Sequence, residues 1–280
     1  MCADTTLSTY VTSIGDNIVL QDWPLDADQT LRGVVVIVHG LGEHAGRYDH
    51  VARRLNGWGF AVRGYDQCGH GESGGARGSL PSDTRLLDDL ADIIDSTRAH
   101  LPKAVPLILL GHSMGGLVAG RFVSLGMRPV DALVMSSPAL NAGLNPVQKV
   151  LVALLPKIAP DLRVGNGLNP KFLSHDPSVV SAYLNDRLVH DRISARLAQF
   201  IALTGKLTID LAPNWKVPTL LIYAGQDHLV NPQGSRDFAS AAPKDVVKSL
   251  AFENLYHEIF NELEAEPVFE TLKNWLDDRY

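Results

Sequence analysis

An α/β fold, with a mostly parallel central sheet flanked by helices, is predicted for this 280-residue chain by three features. Apolar, β-branched runs lack polar alternation, as strands covered on both faces do. These runs alternate regularly with stretches of helical periodicity, which is the pattern of βαβ units in a doubly wound sheet. Between residues 140 and 214 the alternation stops and helices follow one another, which marks an insertion.

Taken in order, residues 5–21 are rich in Thr, Val and Ile around the turn signal Gly15-Asp16-Asn17, so an antiparallel hairpin is expected. Residues 33–38 form the first buried strand, which ends at His39-Gly40-Leu41-Gly42. A helix over 48–57, a strand over 60–65, a glycine-rich loop over 68–78, a helix over 84–100 and a buried strand over 105–110 follow. A helix after Ser113 and a strand over 132–136 continue the series. In the insertion, Pro146, Pro156, Pro160, Pro170 and Pro177 separate helices and no run of strand length appears. Strands over 218–223 and 246–252 and an amphipathic helix over 267–277 complete the chain. The expected organisation is a core of residues 1–139 and 215–280, with a helical cap at 140–214.

Composition narrows the function. Lys and Arg number 25 against 31 Asp and Glu, a formal charge of −6, which excludes binding driven mainly by nucleic-acid phosphates. The two cysteines, Cys2 and Cys68, are too few for a disulfide framework and lack zinc-ligand spacing, so a reducing compartment is expected. The first residues have no basic start followed by an apolar stretch, and no apolar run reaches the length of about 18 that a membrane span needs. A cytoplasmic protein is therefore expected.

The chemistry-bearing signal is Gly111-His112-Ser113-Met114-Gly115, preceded by an apolar strand and followed by a helix-compatible stretch. A bare Gly-x-Ser-x-Gly is an ordinary turn. Between strand and helix it is a sharp elbow that exposes the serine hydroxyl, with glycines where side chains would clash. The helix start also directs N–H groups toward a developing oxyanion. A serine nucleophile needs a base, and the base needs an orienting acid, in the chain order Ser, Asp, His. Asp227 follows the strand at 218–223 and His257 follows the strand at 246–252, both at strand ends where an open α/β sheet builds its site. Each alone reads as a turn aspartate or a loop histidine. His228 is a rival base, but as the acid's neighbour it is badly placed to bridge acid and serine. The expected oxyanion hole uses the backbone N–H of Met114 and of Leu41, which lies between two glycines.

His39-Gly40-Leu41-Gly42-Glu43-His44 with Arg47-Tyr48, Gly69-His70-Gly71-Glu72-Ser73, Gly111-His112-Ser113-Met114-Gly115-Gly116, Gly225-Gln226-Asp227 and Tyr256-His257-Glu258 resemble the monoacylglycerol lipase and lysophospholipase branch of the α/β-hydrolases. The likeness runs from about residue 17 to 278 and is weakest in the insertion, where Asp176-Pro177 and Leu188-Val189-His190 are also similar. It implies the α/β-hydrolase fold and a serine ester hydrolase of single-chain lipid esters, with Ser113, Asp227 and His257 as the triad under a helical cap. The animal members carry a second histidine three residues after the catalytic one, where this chain has Phe260. Glu43 and Arg47 match residues near the alcohol exit, and a structural ion pair explains them equally well.

Within the insertion, apolar residues at 147, 150, 151, 154, 155 and 158 form a helical stripe that Val152 and Ala153 widen. One reading packs this helix on the core. The other turns part of it toward lipid aggregates or a membrane surface, with an acyl tunnel beneath it in either case. No metal or cofactor is implied, because the histidines lack His-Glu-x-x-His spacing and the glycine-rich loop lacks Gly-Lys-Ser/Thr. Cys68 is a reactive thiol or, more ordinarily, a small buried hydrophobe. The rival functions are a lysophospholipase, a broad carboxylesterase and a non-catalytic hydrolase-like binding protein. The last would be marked by a lost triad member, and none is lost.

Overall fold

A computed structural model describes residues 4–280, so Cys2 lies outside the described residues. Strand β1 (Thr6–Val11) and β2 (Asn17–Trp23) form the antiparallel hairpin, its turn closed by Thr12 N–H donating to the Asp16 carbonyl. Then follow β3 (Gly33–Val38), α1 (Asp49–Gly57), β4 (Phe60–Tyr65), α2 (Arg85–Ala99), β5 (Leu107–His112), α3 (Met114–Ser124) and β6 (Ala132–Ser136). The next segment holds α4 (Pro146–Ile158), β7 (Arg163–Gly165), α5 (Pro177–Asn185), β8 (Arg192–Ser194) and α6 (Ala195–Leu211). The chain ends with β9 (Thr219–Ala224), α7 (Gln233–Ala241), β10 (Val247–Phe252) and α8 (Glu266–Asp277).

Eight strands make one sheet in the order β1-β2-β4-β3-β5-β6-β9-β10. Pairing is parallel from β4 through β10, and antiparallel for β1-β2 and β2-β4. In β3, Val36 and Val38 enter one apolar layer and Val35 and Ile37 the other, which is why the run shows no polar alternation. One layer is covered by α2, α3, α6 and α7, through residues such as Leu90, Phe122, Phe200 and Phe238. The other is covered by α1 and α8, through Leu55, Leu272 and Trp275. Strand order reverses between β3 and β5, and the crevice beyond their carboxyl ends is where a sheet of this kind holds its ligand.

The structure departs from the expected elements in four places. Strand β5 begins at Leu107 and runs to His112, two residues later than expected. Pro106 has no N–H for a strand ladder, and its carbonyl instead accepts from Val34 N–H at 2.9 Å. The insertion does contain strands: β7 and β8 pair as a three-residue ribbon, too short and too exposed to leave any periodicity. Helix α7 was not expected, because Gly234 and Ser235 are poor helix formers and only Phe238 anchors it fully in the core. Pro156 lies inside α4 and does not end it. The Val152 carbonyl, which would have bonded an N–H at 156, accepts from the Gln199 side chain of α6 at 3.1 Å.

The insertion also divides by packing. Leu197 and Phe200 of α6 belong to the core, whereas α4 buries no residue fully. Helix α6 lies along α3 and also supports α4.

Candidate active site

Ser113 sits between β5 and α3 with φ 53° and ψ −119°, in the left-handed region that a non-glycine residue occupies only under constraint. The constraint is visible on both sides. Ser113 N–H donates to the Ser136 carbonyl at 3.0 Å, and the Ser113 carbonyl accepts from Leu117 at 3.0 Å and Ala139 at 2.9 Å. A Cβ on Gly115 would be driven into the carbonyls of Val38 and His39, and one on Gly111 into the Gly115 backbone. The two glycines flanking the serine therefore let α3 start directly against the end of β3.

Asp227 and His257 come from the loops after β9 and β10, and the structure brings them together. His257 Nδ1 lies 2.6 Å from Asp227 Oδ2, and Asp227 Oδ1 accepts from Leu229 N–H at 2.9 Å and Val230 N–H at 3.0 Å. Both side chains are almost wholly buried. Burial opposes the charge on Asp227, but His257 and the hydrogen bonds outweigh it and hold its pKa below the ordinary carboxylate value. Burial likewise opposes an imidazolium at His257, yet the Asp227 carboxylate leaves the His257 pKa raised. His112, whose ring centroid is 4.8 Å from that of His257, is pushed down to about 4 by burial and then by His257, so it stays neutral. The rival base, His228, packs on Phe172 with ring centroids 4.4 Å apart and is exposed.

Ser113, His257, Leu41 and Met114 line one cavity of about 360 Å³. Its other walls are largely apolar and include Leu151, Val152 and Leu155 of α4, Ile201 of α6 and Val230. The size and lining suit a small-molecule ligand with an apolar body. Ser113 and His257 face this cavity without a direct hydrogen bond, a looseness that catalytic pairs often keep until substrate is bound. The segment between β6 and β9 reaches down to the same place: His190 N–H donates to the Gly42 carbonyl at 2.9 Å, and a Cβ on Gly42 would strike the His190 carbonyl.

His39 holds the loop from beneath. Gln67 N–H donates to His39 Nε2 at 2.9 Å, so Nδ1 carries the proton and donates to the Gly40 carbonyl at 2.7 Å. In the trans peptide, Leu41 N–H points the opposite way from that carbonyl.

Four of the residues singled out in the sequence have other surroundings. Phe260 is buried against Phe269. Cys68 is buried, and burial pushes its thiol up to about 11, which leaves an unreactive side chain. Glu43 and Arg47 turn out to be linked to Glu258, a contact across 211 residues of sequence that no local pattern signals.

The family model described as "Serine aminopeptidase, S33" (Hydrolase_4) matches residues 29–264. A monoacylglycerol lipase of Mycolicibacterium smegmatis is 36% identical over 265 residues, covering 94% of this chain and 93% of the relative. A phospholipase of Bacillus subtilis is 32% identical over 91% of this chain and 98% of its own length. An uncharacterized abhydrolase domain-containing protein of Dictyostelium discoideum is 33% identical over 98% of this chain, which spans 29% of that protein's length. The solved structure of a Paleococcus ferrophilus monoacylglycerol lipase matches with a TM-score of 0.82 and 33% identity, covering 99% of this chain and 100% of the other.

The charge arrangement predicts a pH dependence. A protonated His257 cannot accept a proton, so kcat/KM for an ester is expected to fall as pH drops, with a midpoint above the ordinary histidine value of 6.5. Asp227→Asn removes the charge that raises it and is expected to lower kcat on the order of 10³- to 10⁴-fold, measured on a soluble ester. A limb near 4 would instead assign the titration to His112.

Proposed function

The chain belongs to the Hydrolase_4 family of α/β-hydrolases and is a lipid ester hydrolase; from that premise we propose that it cleaves monoacylglycerol to fatty acid and glycerol through a Ser113 acyl-enzyme. His257 takes the proton as Ser113 Oγ attacks the ester carbonyl, and Asp227 stabilises the imidazolium that results. The oxyanion is held by Leu41 and Met114 N–H groups. As the C–O bond breaks, the imidazolium returns its proton to the departing glycerol oxygen. Water then attacks the acyl-enzyme, giving its proton to His257, and the fatty acid leaves as Ser113 is regenerated.

The observation that carries the choice of substrate is the lining of the cavity. Its polar side chains are Ser113, Gln148, Asn166, Ser194 and His257, and no Lys or Arg is among them. An acyl chain suits the apolar walls, each buried methylene being worth about 0.8 kcal/mol. An uncharged glycerol head suits a lining without a cation better than a phosphodiester does. The similarity to a Bacillus subtilis phospholipase keeps lysophospholipid as the second reading.

The outward face of α4 supports a role at lipid surfaces. Val147 is 69% and Ile158 83% exposed, with Val150 and Leu154 exposed beside them. This is apolar area that water leaves unsatisfied. No helix of the described residues is long and apolar enough to cross a membrane. The contact proposed is a transient one of the α4 face with a lipid surface, made from the cytoplasm.

Fatty-acid release is expected to be faster from monoacylglycerols than from lysophospholipids of equal chain length and to vanish in Ser113→Ala. A preference for lysophospholipid would keep the mechanism and change the substrate, and equal activity in the mutant would sink the mechanism. The double variant Val147→Ser/Ile158→Ser is expected to lower the rate on vesicle-held monoacylglycerol several-fold while leaving hydrolysis of a soluble short-chain ester unchanged, as measured in parallel assays.

A further inference from the structure

Arg47 joins two loops that the chemistry uses separately. It lies in the turn Ala45–Tyr48, just after the loop that carries Leu41. Its Nη1 donates to Glu43 Oε2 at 2.6 Å and to Glu258 Oε1 at 2.7 Å, and its Nη2 donates to Glu258 Oε2 at 2.8 Å. Glu258 is the residue after His257, and its Oε2 also accepts from Asn261 Nδ2 at 2.7 Å. Glu43 Oε1 accepts from Gly40 N–H at 2.5 Å and from the Tyr48 hydroxyl at 2.7 Å. The Tyr183 ring of α5 covers the guanidinium, with 4.9 Å to its centroid.

These charges are nearly dry: the Arg47 side chain is 11% exposed, and those of Glu43 and Glu258 are 5% exposed. A buried charge cluster is costly to keep, and replacing one by apolar groups is often neutral for stability. Its placement here offers a different use. A Cβ on Gly40 would lie 2.7 Å from Glu43 Oε1 and 3.3 Å from Ser113 Cβ, so the Gly40 backbone fills the gap between carboxylate and nucleophile. Glu43 fixes the N–H of Gly40 while His39 fixes its carbonyl, and the next N–H along is that of Leu41. Preorganised donors stabilise an oxyanion because they need not reorient as charge develops, and small misplacements are expensive in rate.

We propose that Glu43, held by Arg47 and Tyr48, is a positioning residue that aims the Leu41 N–H at the oxyanion, and that Arg47 keys this loop to the His257 loop through Glu258. The inference rests on the serine mechanism proposed above. The clamp acts on the transition state and not on the acyl chain, because neither Glu43 nor Arg47 lines the cavity whose apolar walls would hold that chain. Glu43→Gln keeps an acceptor oxygen but loses the ion pair, freeing the Arg47 fork to pull toward Glu258 alone.

The test compares wild type, Glu43→Gln and Tyr48→Phe on a soluble short-chain ester, with active sites counted by an alkyl fluorophosphonate. Per titrated site, Glu43→Gln is expected to lower kcat by about 10- to 100-fold with KM within about twofold, and Tyr48→Phe to lower kcat several-fold. The affinity for an alkyl trifluoromethyl ketone, whose serine adduct places an oxyanion in the hole, is expected to weaken by the same factor as kcat. A purely structural role would lower the number of titrated sites and leave kcat per site and ketone affinity unchanged, and that result overturns the proposal. Should Glu43→Gln fail to fold, Tyr48→Phe carries the same comparison, and unchanged kcat and ketone affinity there are equally decisive. Full activity in Ser113→Ala would instead overturn the serine mechanism, whatever the Glu43 variant does.

Discussion

The left-handed backbone at Ser113 is the constraint on which the rest of the site depends. A non-glycine residue at φ 53° costs free energy and persists only where the surroundings over-determine it. Here β5 is paired on both sides, by β3 and β6, and α3 begins against the carbonyl end of β3 because Gly115 presents no side chain there. The elbow lifts the hydroxyl out of the sheet and at the same time places the first turn of α3 beside the loop after β3. The proposed nucleophile and oxyanion donors are thus set by one junction, at the point where strand order reverses.

Around that junction, burial sorts the histidines. His39 and His112 are kept neutral by desolvation, and each is spoken for by hydrogen bonds that orient it. His257 is equally buried but faces Asp227, so its charged form is the one the site stabilises. A single ionisable imidazole among neutral ones gives the proton a defined place to go. The charged cluster of Glu43, Arg47 and Glu258 stands behind the cavity, while the walls toward the cap are apolar. Glu43 remains ionised, down at about 2, because the Arg47 guanidinium and the hydroxyl that Tyr48 donates outweigh its burial.

The strands at 33–38, 60–65 and 132–136 were legible to the residue; at 33–38 burial on both faces demands an uninterrupted apolar run with abrupt ends, whereas the strand at 60–65 keeps Arg63 half-buried and paired with Asp22. That Ser113, Asp227 and His257 come to the same end of the sheet was legible because each follows a strand end. The ribbon of β7 and β8 was not, as three residues carry no period, and α7 was hidden by Gly234 and Ser235. Sequence found the apolar stripe of α4 but could not tell its two faces apart: Leu155 lines the cavity and Val147 meets water, and both are simply apolar. The role of Arg47 was invisible for another reason. Its partner Glu258 is 211 residues away, and only the folded sheet brings their loops together.

The central claim, that the elbow and the two loops together make Ser113 the one activated hydroxyl, is tested most directly by mapping where an alkyl fluorophosphonate attaches. Intact mass and peptide analysis of the wild-type protein should find one adduct, on the peptide containing Ser113, and His257→Ala should slow its formation by several orders of magnitude. Labelling at another residue, or labelling of Ser113 at the same rate without His257, would contradict the account.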